Sequence, residues 1–184
     1  MVSQVDTLTR TDYSPPLEEA QPHRTEGLVQ VFTYPQRLFP VDTIAQAMRL
    51  AGHGTPVLLV QFLKGGINQG TAHPVSLVQN LDWIRGMLDR TVDPAVDTLT
   101  QAEIEGIQTL WTYVTEQVQE NRYDVVVLDE LSVAVSLGAI TPEAVLEFLE
   151  TRADYVDVIF NGPTLPDWLL AVADRVTEVR RLRP

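Results

Sequence analysis

The sequence predicts an α/β fold built on a mostly parallel sheet with helices on both faces. Short, continuous apolar runs such as Val125-Val126-Val127-Leu128 mark strands buried on both sides. They alternate along the chain with amphipathic helical segments, and those segments carry readable starts and stops. A strand–helix–strand order repeated in this way closes through right-handed crossovers.

Residues 1–26 are polar and punctuated by Ser14-Pro15-Pro16 and Gln21-Pro22, with neither a strand nor a helix period. They read as a flexible arm dispensable for folding, ahead of one folded domain over residues 27–184. Strands are expected over residues 28–33, 56–63, 124–128, 155–160 and 176–180, with a weaker one over 81–88. A helix over residues 42–50 carries Ile44, Ala47 and Met48 and stops at Gly52-His53-Gly54. Thr100-Gln101-Ala102-Glu103 has capping-box spacing, and Ile104, Ile107, Trp111, Val114 and Val118 then mark one helical face. Thr141 and Pro142 read as cap and first helical residue, with Val145, Leu146 and Leu149 set opposite Glu143, Glu147 and Glu150. Thr164 to Asp167 opens a last helix through Trp168, Leu169 and Val172.

Composition removes several function classes. A net charge of −12 opposes binding to nucleic-acid phosphates or anionic lipid, and the one basic cluster, Arg180-Arg181-Arg183, reads as a solvated end. The absence of cysteine excludes disulfides and thiolate metal sites. His23, His53 and His73 are scattered without metal-ligand spacing, so no metal site is expected on them. The strongest apolar stretch, residues 56–63, falls far short of the roughly 20 residues of a spanning helix. With no basic-then-apolar signal segment at the start, a cytoplasmic protein is expected.

Two strand ends could carry chemistry. Val125 to Glu130 is an apolar strand ending in two acids, the form of a Walker B strand, whose Asp helps hold Mg²⁺ beside nucleotide phosphates. Acids also end many parallel strands that bind nothing. Adjacent charges on Asp129 and Glu130 predict a repulsion that Asp129→Asn would relieve. Gln61-Phe62-Leu63-Lys64-Gly65-Gly66 ends a second strand, where Lys64 is either a solvated turn residue or part of a site. Trp83, Trp111 and Trp168 fall on apolar faces and read as core, and Ser132 and Ser136 lack a His–Asp partnership.

Taken together, these segments resemble the P-loop family of corrinoid adenosyltransferases, the cob(I)alamin or cob(I)yrinic acid a,c-diamide type. The likeness covers most of residues 27–180. Gly27 to Thr33 is similar to the family's first strand, Arg49-Leu50-Ala51-Gly52-His53-Gly54 to its R-A-x-G-H-G helix end, and Val60 to Gly65 to its V-Q-F-x-K-G strand. Val126 to Glu130 resembles V-V-L-D-E, and Ala173 to Glu178 resembles A-D-x-V-T-E. The resemblance implies a three-layer P-loop NTPase-like fold and a tendency to dimerise. It also places Asp129, Glu130 and Lys64 at a Mg²⁺ and nucleotide edge.

The loop between strand and helix departs from that family. Its T-G-[ND]-G-K-G-K-T-T pattern falls on Thr33 to Val41, where Tyr34, Gln36 and Leu38 replace glycines, Phe39 the phosphate-binding Lys and Pro40 the Mg²⁺-binding Thr. Phosphate cradling needs permissive glycines and free N–H groups, and proline has none. Asp42 adds a negative charge near the helix start. The aromatic corrinoid-side loop has no counterpart near residues 90–97, and Asn161-Gly162-Pro163 stands for a T-G-R turn. A charge-assisted hydrogen bond contributes about 1.5–3 kcal/mol, so losing roughly four or five erases the ~4–8 kcal/mol of ordinary nucleotide binding. These departures predict a degenerate relative without resident cofactor, non-catalytic, binding a protein partner or small ligand at the sheet's carboxyl edge. The alternative is an adenosyltransferase of cobalamin biosynthesis using ATP, Mg²⁺ and a corrinoid. A ligand-binding or regulatory module that merely shares the fold is the third reading. The vacated pocket is then filled from within by Tyr34, Leu38 and Phe39 or capped by a partner.

Overall fold

The computed structural model describes residues 26–34, 41–65, 69–163 and 165–179. The expected N-terminal arm, most of the loop at 34–40, Gly66, the Asp42 side chain, Thr164 and the C-terminal arginines lie outside them.

In chain order the elements are β1 (Val29–Thr33), α1 (Val41–Gly52), β2 (Val57–Gln61), β3 (Val75–Val78), β4 (Leu81–Arg85), α2 (Gln101–Gln119), β5 (Val125–Asp129), α3 (Leu131–Ser136), α4 (Pro142–Thr151), β6 (Asp157–Gly162), α5 (Asp167–Leu170) and β7 (Arg175–Glu178). The strands form one seven-stranded sheet in the order β3-β4-β2-β5-β6-β1-β7. All pairings are parallel except β3 with β4. The α/β architecture and its mostly parallel sheet are as the sequence predicts.

Alternation along each strand divides the core between two faces. Leu58, Val60, Val126, Leu128, Val158 and Phe160 point to one side, where Ile107, Leu110 and Val114 of α2 cover them with Val145 and Phe148 of α4. Phe62 and Phe148 flank the Trp111 ring there, at centroid distances of 6.3 and 5.2 Å, which confirms Trp111 as core. On the other side, Val57, Leu59, Val125, Val127 and Ile159 meet Ala47 and Ala51 of α1. The small residues let that helix lie close to the sheet.

β3 is absent from the sequence reading because Val75, Leu77 and Val78 make only a four-residue stretch with Ser76, largely exposed at the sheet edge. It turns into β4 through Asn80, whose φ of +66° suits a tight reversal. The strand expected over 81–88 stops at Arg85: the Gly86 N–H still reaches Gln61 O at 2.9 Å, but a Cβ there would lie 2.6 Å from Phe62 O.

The capping box at the head of α2 forms as read. Thr100 Oγ1 accepts from the Glu103 N–H at 3.3 Å, and the Glu103 carboxylate accepts from the Thr100 N–H at 2.8 Å. Arg90 donates to the same carboxylate, and that bond, with the Thr100 N–H next, holds the Glu103 pKa down at about 2. Thr100→Ala is expected to cost about 1 kcal/mol in chemical denaturation. Because the folded pKa lies below the ordinary 4.5, the Glu103 contribution is complete above pH 4.5 and fades as pH falls towards 2. A carboxyl NMR titration of Glu103 with its midpoint near 4.5 would refute the arrangement.

Candidate functional site

The sheet register aligns one row of side chains across the carboxyl ends of four strands. Gln61 on β2 pairs with Arg85 on β4 and with Asp129 on β5, and Asp129 pairs with Asn161 on β6. Paired residues in register share a face, here the face covered by α1.

Asp129 is the hub of this row. Its Oδ2 accepts from Lys64 Nζ at 2.6 Å and from Gln61 Nε2 at 2.7 Å, while Oδ1 accepts from Asn161 Nδ2 at 2.7 Å. Further partners fix both amides. The Trp83 indole, which can only donate, gives its hydrogen to Gln61 Oε1 at 3.1 Å, so Gln61 must turn its NH₂ to the carboxylate. Thr43, in the first turn of α1, donates to Asn161 Oδ1 at 3.1 Å and orients that amide likewise. The cluster therefore ties α1 to β6, β5, β2 and β4.

The sequence places Asp129 and Glu130 at the end of a central strand, and there they lie. Asp129 is 0% and Glu130 1% exposed, so both are withdrawn from solvent instead of lining an open cleft. The repulsion expected at Asp129 is replaced by a buried ion pair, because the turn after β2 brings Lys64 onto it. Lys64 is thus not a solvated turn residue: its side chain is only 14% exposed. The glycine after it is required, since a Cβ on Gly65 would come within 2.0 Å of Leu88 O. Glu130 takes a left-handed φ of +63° and donates its N–H to Asn161 O at 2.7 Å, which turns the chain from β5 into α3. Such a conformation on a residue other than glycine tends to mark functional sites.

Tyr34 is buried at 7% exposure, whereas Gln36, Leu38, Phe39 and Pro40 lie outside the described residues, and with them the question of how the loop pocket is filled. Trp83 departs from the simple core reading by donating into the site, and Trp168 borders a groove of about 570 Å³ with Ser132, Val135, Leu165 and Pro166. Thr43, Asn161 and Arg85 escaped the sequence reading as site residues. The one available signal was position: each sits where a strand or helix end meets the carboxyl edge.

In this arrangement Asp129 does not fit direct ligation of a divalent cation. Both its oxygens are engaged, and an ammonium lies 2.6 Å from one of them. Among the described residues no helix is long and apolar enough to cross a membrane.

The chain is similar to known proteins over most of its length. A relative in Salmonella typhimurium, named corrinoid adenosyltransferase CobA, is 28% identical over 167 residues, covering 89% of this chain and 82% of its own. The corrinoid adenosyltransferase of Escherichia coli K12 is 27% identical over 166 residues with the same coverage. One from a Sinorhizobium species is 28% identical over 164 residues, covering 86% of this chain and 74% of its own. The family profile described as ATP:corrinoid adenosyltransferase BtuR/CobO/CobP matches residues 26–183, from the start of β1 to beyond β7. The match takes in the whole sheet and its polar row, and the chain belongs to that family.

Proposed function

We propose that the chain acts in transfer of an adenosyl group from ATP to a reduced corrinoid, with a weakened hold on the triphosphate. The observation supporting this reading is the intact Asp129–Lys64–Gln61–Asn161 cluster at the carboxyl edge, inside a family match that spans the domain. Adenosyl transfer breaks the bond between the 5′ carbon and triphosphate, so negative charge grows on the departing oxygens. Cations fixed at the site favour that change. Lys64, braced by Asp129, is such a cation, and Asp129 acts by positioning it.

A second reading, a non-catalytic protein that binds a partner or small ligand at the same edge, is favoured by the loop: Phe39 and Pro40 stand where the family has its phosphate Lys and Mg²⁺ Thr. Anaerobic incubation with MgATP and a chemically reduced corrinoid, followed by absorbance, separates the two. Formation of adenosylated corrinoid is expected, with MgATP affinity no tighter than about 1 mM. No product at saturating MgATP would leave the non-catalytic reading. Combining Tyr34→Gly, Gln36→Gly, Leu38→Gly, Phe39→Lys and Pro40→Thr should tighten MgATP binding in calorimetry at least about tenfold, since one charge-assisted hydrogen bond alone is worth that much. Unchanged affinity in a folded variant would show that the loop is not what limits nucleotide binding. Asp129, Glu130 and Lys64 as edge residues, a homodimer and a cytoplasmic location remain part of this proposal.

A further inference from the structure

Arg85 closes the polar row on its β4 side, and it is the member whose hydrogen bonding is incomplete. Its guanidinium carbon lies over the Trp83 ring, 4.7 Å from the ring centre, a cation–π contact that holds the head group at this end of the row. Trp83 is anchored in turn to Gln61, and Gln61 to Asp129, so the whole support is braced from the centre of the sheet. Yet Arg85 Nε is withdrawn from solvent and meets no acceptor among the described residues. Burial lowers the pKa of this guanidinium, and the charge of Asp129 opposes that shift.

The acceptors of the row are each already engaged elsewhere. Asp129, the one carboxylate in the row, already accepts from Lys64, Gln61 and Asn161. The Gln61 carbonyl is taken by Trp83 and the Asn161 carbonyl by Thr43. Arg85 is therefore left with a buried Nε–H that meets no acceptor among the described residues. A buried N–H left unmade is costly, and native structures keep few such groups without a use. Arg85 is only partly buried, so an incoming group can reach its side chain at the carboxyl end of β4.

We propose that Arg85, braced by Trp83 beside the Lys64–Asp129 pair, is an anion anchor of this site and takes an oxygen of a phosphate or carboxylate group on the bound reactant. The inference rests on the reading of the carboxyl edge as the reactant site. It supplies a recognition element for an anion where the loop at 34–40 lacks the family's glycines and phosphate Lys. The oxyanion can come from the triphosphate of ATP or from an acidic side chain of the corrinoid, and both present a pair of oxygens that a guanidinium fork can take bidentately.

The test uses the full chain, its Arg85→Met and Arg85→Lys variants, and four probes: MgATP, inorganic tripolyphosphate, a corrinoid with free peripheral carboxylates and one in which they are amides. Affinities are read by calorimetry. Arg85→Met is expected to weaken the anionic probe bound by the unmodified chain at least about tenfold and to leave the amidated corrinoid unchanged. Arg85→Lys should recover only part of that loss, because charge returns without the fork. Weakening of MgATP and tripolyphosphate assigns the oxyanion to phosphate, and weakening confined to the carboxylate corrinoid assigns it to the corrinoid. The proposal is overturned if the unmodified chain binds no anionic probe, if the variants bind them as tightly as the parent, or if all four probes weaken together. If Arg85→Met does not fold, the Arg85→Lys comparison alone decides in the same way. Absence of adenosyl transfer with the anion selectivity intact would sink the enzymatic reading and leave the anchor standing.

Discussion

Asp129→Ala is expected to lower stability by about 3–5 kcal/mol, because it removes one member of a buried ion pair with Lys64 and the acceptor of two oriented amides. Asp129→Asn should also destabilise, although less, since one carbonyl oxygen survives to accept. That outcome reverses the expectation drawn from the adjacent acids alone, in which relief of repulsion would make the change neutral or favourable. Urea denaturation of both variants provides the measurement. A loss below about 0.5 kcal/mol for Asp129→Ala would mean that the ion pair is not formed in solution. The double change Lys64→Met with Asp129→Leu should recover much of the loss, as replacing both members of a buried pair is far milder than removing one.

Phe62→Ala carries the other large effect. The ring is fully buried just beyond β2 and sits 6.3 Å from Trp111, in the layer beneath α2. Deleting it leaves a cavity between sheet and helix and is expected to cost about 3–5 kcal/mol. The Trp111 emission should shift to the red as water or motion enters the gap. A variant as stable as the parent, with unchanged emission, would show that α2 does not pack on this face.

The ion pair at Asp129 and the packing of Phe62 also mark what the sequence can and cannot carry. Central strands were legible because burial on both faces leaves a continuous apolar run, as in Val125-Val126-Val127-Leu128. The caps at Thr100 and Thr141 were legible because capping is a local matter of three or four residues. β3 was not, since four residues are too few to set a strand apart from a turn, and α3 is too short to show a helical period. At the site, strand-end acids announce themselves, but their partners do not. Lys64 and Asp129 are 65 residues apart, and Thr43 and Asn161 are 118 apart. Only the register of the sheet brings them together, and no local signal fixes the register of a parallel pair.

The same long-range pairing governs how the protein is made. β1 lies between β6 and β7, and at its start the Leu28 and Val29 N–H groups donate to the carboxylates of Asp157 and Asp174, 129 and 145 positions away. A ribosome delivers β1 well before both of its neighbours, so Val29 and Val31 have no ladder to join until β6 has emerged. Contacts that span such distances form slowly, and an unpaired apolar strand is sticky while it waits. Nascent chains halted before Asp157 should therefore be chaperone clients prone to aggregation, with β1 the last central strand to dock and its arrival the event that completes the sheet.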